Sequence, residues 1–324
     1  DARELLTSIV IGYEIGTRAG IALHSSACDY HTSGAWIALA TAALTSRQLG
    51  LTKTQTREAI GIAEYHGPRS QMMRCIDAPT MVKDGSGWGA MAGVSAGYLA
   101  QDGFTGAPAI TMEDPALNRF WSDLGQNWYI EQQYIKLYPV CRWAQPAAEG
   151  VIALVREHGI TTDQIVKIKV ESFHEAKRLN VIPTNTEQAQ YSLPFSVAVA
   201  LIYGTISVAH ITNNGLTNKD VLNLSKLVEI SETDEFNSAF PVQRFARVHL
   251  VLKSGKVLSS EKTEAQGDPE NKISDTLIWD KFRTFTIPIL GDEWANSFLE
   301  NAQNLSKVSN VSILFKQLAA KGLT

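Results

Sequence analysis

The sequence predicts a mainly α protein with an α+β part: a large all-helical domain and a smaller α+β domain inserted before the C-terminal helices. Three observations point there. From residue 1 to about 133 the apolar positions keep a helical period, broken by capping and stop signals. In "QIVKIKVESF" the pattern changes, because Val166, Ile168 and Val170 alternate with Lys167, Lys169 and Glu171 as in a half-exposed strand. Beyond "GDPEN" the amphipathic segments "ISDTLIWDKFRTF" and "EWANSFLENAQNLSK" return to helix. The expected division is 1–133 with 270–324 as the helical domain and 134–269 as the α+β domain.

Small residues at four-residue spacing mark the first helices. They are Gly12, Gly16 and Gly20, then Gly34, Ala38 and Ala42, then Gly89, Gly93 and Gly97. Residues four apart share a helix face, so these seams predict three tightly nested helices. Glycine costs about 1 kcal/mol relative to alanine in a helix interior, which implies compensating close contact. Glu14, Arg18, Asp84 and Asp102 interrupt the apolar runs before the roughly 18 residues that a membrane span requires. Next, "SRQLGLTKTQTREAIGIAEY" supplies a helix end at Gly50, a threonine cap and a fresh helix. After "KLYPVCRW" a helix from Pro146 to His158 leads into the first strand, and "RFARVHLVLKSGKVLSSEKTEA" reads as a hairpin turned at Ser254-Gly255.

The glycines of "MVKDGSGWGAMAGVSAGYLA" also invite a nucleotide reading, with Lys83 beside a phosphate cradle. The context opposes it. A phosphate-binding loop places its lysine after the glycines and a dinucleotide fingerprint follows a strand, whereas Lys83 precedes the glycines and "IDAPT" is a turn.

The 324 residues are 44% hydrophobic and 19% charged, the balance of an ordinary globular protein. A net charge of -4 and the absence of basic runs or zinc-finger spacing argue against a nucleic-acid binder. Cys28, Cys75 and Cys141 are odd in number and widely spaced, which fits reduced thiols in a cytoplasmic protein. Neither CxxC nor HExxH occurs, so no metal is implied. The chain opens on Asp1 inside a helical pattern, which reads as an N-terminal truncation.

Three groups of residues carry candidate chemistry. His66, Arg69, Arg74 and Lys83 gather cationic side chains on a loop-like stretch rich in Gly and Pro, suited to a carboxylate-rich ligand. Lys136, Tyr138, Cys141, Arg142 and Trp143 of "KLYPVCRW" stand at the expected domain junction, a preferred place for ligand clefts. Cys141 there lacks a His/Asn arrangement and reads as a structural thiol rather than a nucleophile. His31 in "CDYHTSGAW" precedes a Thr/Ser-capped helix whose N-terminal dipole favours an anion. His158, His174, His210 and His249 read as structural.

Taken together, "YHTSGAW", the lysine before a Gly/Ala helix at 83, "KLYPVCRWAQPA", "TEQAQYSLPFSVAVAL" and "GDPEN" followed by a helix with "KF" resemble the MmgE/PrpD family over nearly the whole chain. The resemblance implies a large helical domain with a smaller α+β lid, usually a homodimer, with a cleft between the two domains. It implies work on small polycarboxylates without metal or organic cofactor, and the family contains 2-methylcitrate dehydratase, cis-aconitate decarboxylase and iminodisuccinate epimerase. By this resemblance His31, Lys83 and Lys136 match catalytic cleft positions, and His66, Arg69, Tyr138 and Arg142 are expected to bind substrate. Two departures stand out. Many relatives carry a histidine three residues after the lysine that Lys83 matches, where this chain has Ser86. The family also carries an upstream Asp-Asp-x-His-like motif, which these residues do not contain.

The expected reaction is water elimination of the 2-methylcitrate dehydratase type. His31 would transfer the proton, and Lys83, Lys136, Arg69 and Arg142 would stabilise the developing enediolate. Decarboxylation and epimerisation use the same apparatus and stay open beside it. So does a catalytically incomplete carboxylate-binding protein, because fold does not fix function.

Overall fold

The computed structural model describes residues 1–308 and 310–320. Its chain gathers into two units, one of Asp1–Arg74, Asp84–Gln133 and Trp279–Thr324, the other of Cys75–Lys83 and Tyr134–Ile278. The fold is mainly α with an α+β part, and the second unit carries the one sheet found among the described residues. No helix among those residues is long and apolar enough to cross a membrane.

In the first unit, helices α1 (Ala2–Ser26), α2 (Gly34–Leu49), α3 (Lys53–His66) and α5 (Ser86–Gln101) nest as the glycine seams predict. A short α4 (Met72–Asp77) carries the chain from the first unit into the second. The seams meet one another in pairs. A Cβ on Gly89 would lie 2.9 Å from the Cα of Gly34, and one on Gly93 would lie 2.5 Å from the Ala38 carbonyl oxygen. On the other side of α2, Gly16 and Gly20 of α1 receive Ala40 and Trp36. Gly12 and Gly16 also line a groove between α1 and α2 that opens beside Ile9 and Tyr13. Ala19, Ala38, Leu39, Ala42, Ala59, Ile62, Ala63, Ala96 and Ala100 form a core of mostly small side chains. Such a core gains its cohesion from close dispersion contact more than from apolar area per residue.

Caps explain the helix limits. Asp1 accepts the Glu4 N–H at 2.8 Å, and Thr52 with Gln55 forms a capping box at α3. Gly50 ends α2 in the left-handed conformation, as expected. Arg18, wholly buried on α1, is satisfied by Glu14 at 3.2 Å, Asp123 at 2.5 Å and the carbonyls of Phe120 and Asn127 at 2.7 and 2.8 Å. One buried cation thus pins the irregular segment 120–127 to α1, with each of its three nitrogens donating to an acceptor.

In the second unit, strands β1 (Ile165–Ser172), β2 (Val228–Glu232), β3 (Arg247–Leu252) and β4 (Val257–Ser259) form a sheet in the order β2-β1-β3-β4. The pair β1 and β2 is parallel and the others antiparallel. The expected hairpin is β3 with β4, turned where Gly255 takes a φ of 84°. The start of β1 departs from the expected alternation. The register shifts between Ile165 and Lys167, so Ile165 turns inward and Val166 is left 44% exposed, whereas strict alternation puts Val166 inside. Gln145–His158 and Leu193–Tyr203 are helices of this unit. The second is buried at every position from Leu193 to Leu201, so "LPFSVAVALIY" is apolar all round because it runs through the core.

Replacing Gly93 by Leu is expected to unfold the first unit or cost more than about 3 kcal/mol, because backbone blocks the new side chain. Gly87, on the same helix with open space beside it, should accept Ala with no loss of stability. Chemical denaturation of the two variants checks this contrast.

Candidate active site

In the first unit the chain leaves α1 at Ser26 and turns through residues 27–30 to His31. Two backbone hydrogen bonds hold the loop at this point, Met72 N–H to the Tyr30 carbonyl at 2.7 Å and Thr32 N–H to the Ser70 carbonyl at 2.8 Å, and together they form the antiparallel bridge of His31 with Gln71. His31 is 7% exposed, and its Nδ1 is buried with no hydrogen-bond partner. Its Nε2 lies 3.4 Å from Asp29 Oδ1, and its backbone N–H donates to His24 Nε2 at 3.2 Å. A buried imidazole with one unpaired nitrogen suits proton exchange with a ligand.

The expected Thr/Ser side-chain cap of α2 is not formed. Instead the Ser33 N–H donates to Asp84 Oδ1 at 3.0 Å, and the hydroxyls of Ser33 and Ser86 lie 2.6 Å apart. Ser86 thus joins the N-termini of α2 and α5. His66, at the end of α3, and Arg69 beyond it are exposed, with the His66 ring edge-on to Tyr65 at 5.1 Å.

In the second unit Lys83 takes a φ of 55°, a left-handed backbone that a non-glycine residue adopts only at a cost of roughly 1–2 kcal/mol. Its Nζ donates to Gln190 Oε1 and lies 5.5 Å from the centre of the Tyr191 ring. Burial pushes its amine below the ordinary lysine range, and the charge of Lys136 acts in the same direction. The carboxylate of Glu187 and the thiol of Cys75 oppose them. Arg178 binds Asp77 through two nitrogens and holds the 75–83 segment to this unit. Gln190 also links the lysine turn to the "KLYPVC" loop, because its carbonyl accepts the Cys141 N–H at 2.7 Å.

Lys136 lies close enough to Lys83 for its charge to act on the Lys83 amine, while Arg142 is bonded within the unit's own frame. Arg142, 5% exposed, donates to the carbonyls of Gln266 and Ala265 at 2.7 and 3.2 Å and to Asp268 at 2.5 Å, and its guanidinium lies over Tyr134. A guanidinium so occupied is a structural pin rather than a ready carboxylate clamp. Burial and the neighbouring Glu149 raise the Tyr138 hydroxyl well above the ordinary phenol range, so it stays protonated. Gln190 and Tyr191 were within a motif legible in the sequence, yet nothing in their residue types singled them out. His24 was hidden as one more helix residue. Among the described residues no group of three or more His, Cys, Asp and Glu is placed to hold a metal ion.

Residues 1–124 match the model for the MmgE/PrpD N-terminal domain, and residues 138–307 match the model for the MmgE/PrpD C-terminal domain. Among curated proteins the chain is similar to cis-aconitate decarboxylase from Homo sapiens, 23% identical over 293 residues that cover 85% of this chain and 60% of that protein. It is 24% identical to the enzyme of the same name from Mus musculus over 303 residues, 86% of this chain and 60% of that protein. A cis-aconitate decarboxylase-like protein from Aspergillus oryzae is 20% identical over 365 residues, covering 98% and 71%. The matches thus span 60% of the length of the two mammalian relatives.

Arg142→Met should lower stability by about 3–5 kcal/mol, the scale for breaking one side of a buried ion pair. Lys83→Gly should cost no stability, since relief of the left-handed backbone offsets the lost Gln190 contact. Urea unfolding curves of the two variants check both.

Proposed function

We propose, from the premise that this chain belongs to the MmgE/PrpD family, that it is the larger part of a lyase acting on a small polycarboxylate without a metal or organic cofactor. The observation that carries the reading is Lys83, a cation on left-handed backbone whose amine burial holds below the ordinary range, with Glu187 and Cys75 opposing and Lys136 acting weakly in the same direction as the burial. A bound polyanion favours its charged form, and strained, perturbed groups of this kind concentrate at functional sites.

The names of the relatives favour decarboxylation of an unsaturated tricarboxylate over the water elimination expected from the motifs. In that reaction the C–C bond to one carboxylate breaks and CO2 departs. The electron pair passes into the alkene conjugated with another carboxylate, giving an enediolate-like dianion. Lys83 and Lys136 stabilise this charge as it forms, and lysine ammonium groups do so without reorganising. His31 returns a proton to carbon. In water elimination the pair comes from a C–H bond next to a carboxylate, whose proton a base takes, and hydroxide then leaves assisted by an acid; the same cations stabilise the enediolate. The proposal includes a homodimer in a cytoplasmic setting, and a monomer in sedimentation at micromolar concentration would contradict the dimer.

Incubating the chain, and a version extended to the length of its relatives, with cis-aconitate and with 2-methylcitrate separates the readings. Release of CO2 from the first supports decarboxylation, loss of water from the second supports dehydration, and neither from the extended protein contradicts the lyase reading. Lys136→Met should abolish the observed turnover, by about 100-fold or more, with little change in melting temperature.

A further inference from the structure

We propose that His24 is a positioning residue for His31: its Nε2 accepts the His31 backbone N–H and so fixes the loop that carries the His31 imidazole. The assignment rests on the reading of His31 as the proton-transfer group. It starts from a bonding requirement. His31 is 7% exposed, and a buried backbone N–H is almost always paired. On either side, Tyr30 and Thr32 are tied to Met72 and Ser70. The N–H of His31 itself goes to a side chain, and that side chain is an imidazole in the last turn of α1.

The His24 ring is well held for such a task. It lies 4.7 Å from Tyr30, centre to centre, and meets Trp36 of α2 edge-on at 5.2 Å. Its centre is 6.3 Å from that of His31. A His24 that accepts at Nε2 must be neutral and carry its proton on Nδ1. Burial favours this neutral form by lowering the His24 pKa below the ordinary imidazole value, and the nearby His31 acts in the same direction. The Gly20 backbone hydrogen bond and the charge of Asp29 oppose it more weakly, whereas the His31 N–H, donated to Nε2, itself favours the neutral ring. The contact is therefore present above the ordinary imidazole range and is lost as pH falls through the lowered pKa of His24, because protonated Nε2 donates instead of accepting. The consequence is an acid limit to His31 function that belongs to a different histidine. The unpaired Nδ1 of His31 makes the loop's position matter, since a proton donor displaced from its reactant loses rate steeply.

The test uses the full chain with ring-labelled histidine, read by NMR titration, with turnover measured alongside. His24→Phe keeps the stacking and removes the acceptor, whereas His24→Gln keeps an acceptor oxygen. In the unmodified chain the His31 resonances should show a second inflection at the midpoint of His24. In H24F they should shift and lose that inflection, and kcat should fall about 100-fold at little change in KM, the scale of a misplacement near 1 Å. H24Q should restore the His31 resonances and most of kcat. Absence of the second inflection in the unmodified chain overturns the assignment even if H24F does not fold. So does an H24F protein whose His31 resonances and kcat are unchanged, or an H24Q protein that behaves like H24F. If the unmodified chain turns over neither tricarboxylate, the lyase reading fails separately, and the NMR arm still decides whether His24 positions His31.

Discussion

Backbone lies directly on backbone where α5 crosses α2, and the first unit is organised around that contact. Gly89 faces Gly34, Gly93 faces Ala38 and Ala42, and no side chain larger than a hydrogen fits at either glycine. Interiors pack at crystal-like density, so a seam of this kind tolerates no partial fit. Its effect reaches the candidate chemistry through the two helix starts. With the axes so close, Ser33 meets Asp84 and Ser86, and the residues leading into α2 and α5 become one hydrogen-bonded structure. His31 stands two residues before Ser33 in this unit.

The same stretch carries the chain between its units, and there the local physics changes from tight packing to tolerated strain. Lys83 adopts a conformation suited to glycine, in a sequence where glycine comes two residues later. Its amine is half-buried, beside another lysine, with Gln190 and Tyr191 as its nearest partners. The left-handed backbone and the burial of the amine each cost stability. Arg142 is the contrast. It is also a cation in a motif that marks the family, but both of its terminal nitrogens are occupied by carbonyls and Asp268, as those of Arg18 are by carbonyls and Asp123.

Much of this was legible in the sequence, for reasons that can be named. Four-residue glycine spacing is a statement about one helix face, so it implies the nested helices, and Ser254-Gly255 between alternating runs announced the β3 and β4 hairpin. Other elements were not legible. β2 is five residues long and only Val228 is fully buried, too little alternation to separate it from the helix before it. Val166 was misplaced because a register shift inverts the pleat without leaving a glycine or proline as a sign. Arg142 read as a ligand for substrate because its partners, at residues 265 to 268, lie more than 120 positions away along the chain. His24 was missed for a related reason: its partner is a backbone N–H, which no side-chain pattern records.

We propose that Lys83 is a half-buried amine whose charged form is favoured by a bound polycarboxylate. The most direct measurement is an NMR titration of the Lys83 side chain, assigned by its loss in Lys83→Arg, without ligand and with a saturating tricarboxylate. The expected result is a titration below the ordinary lysine range in the free protein that moves upward when the tricarboxylate binds, because the anion then favours the charged form. A Lys83 that titrates like a solvated lysine and does not respond to tricarboxylate would contradict the claim.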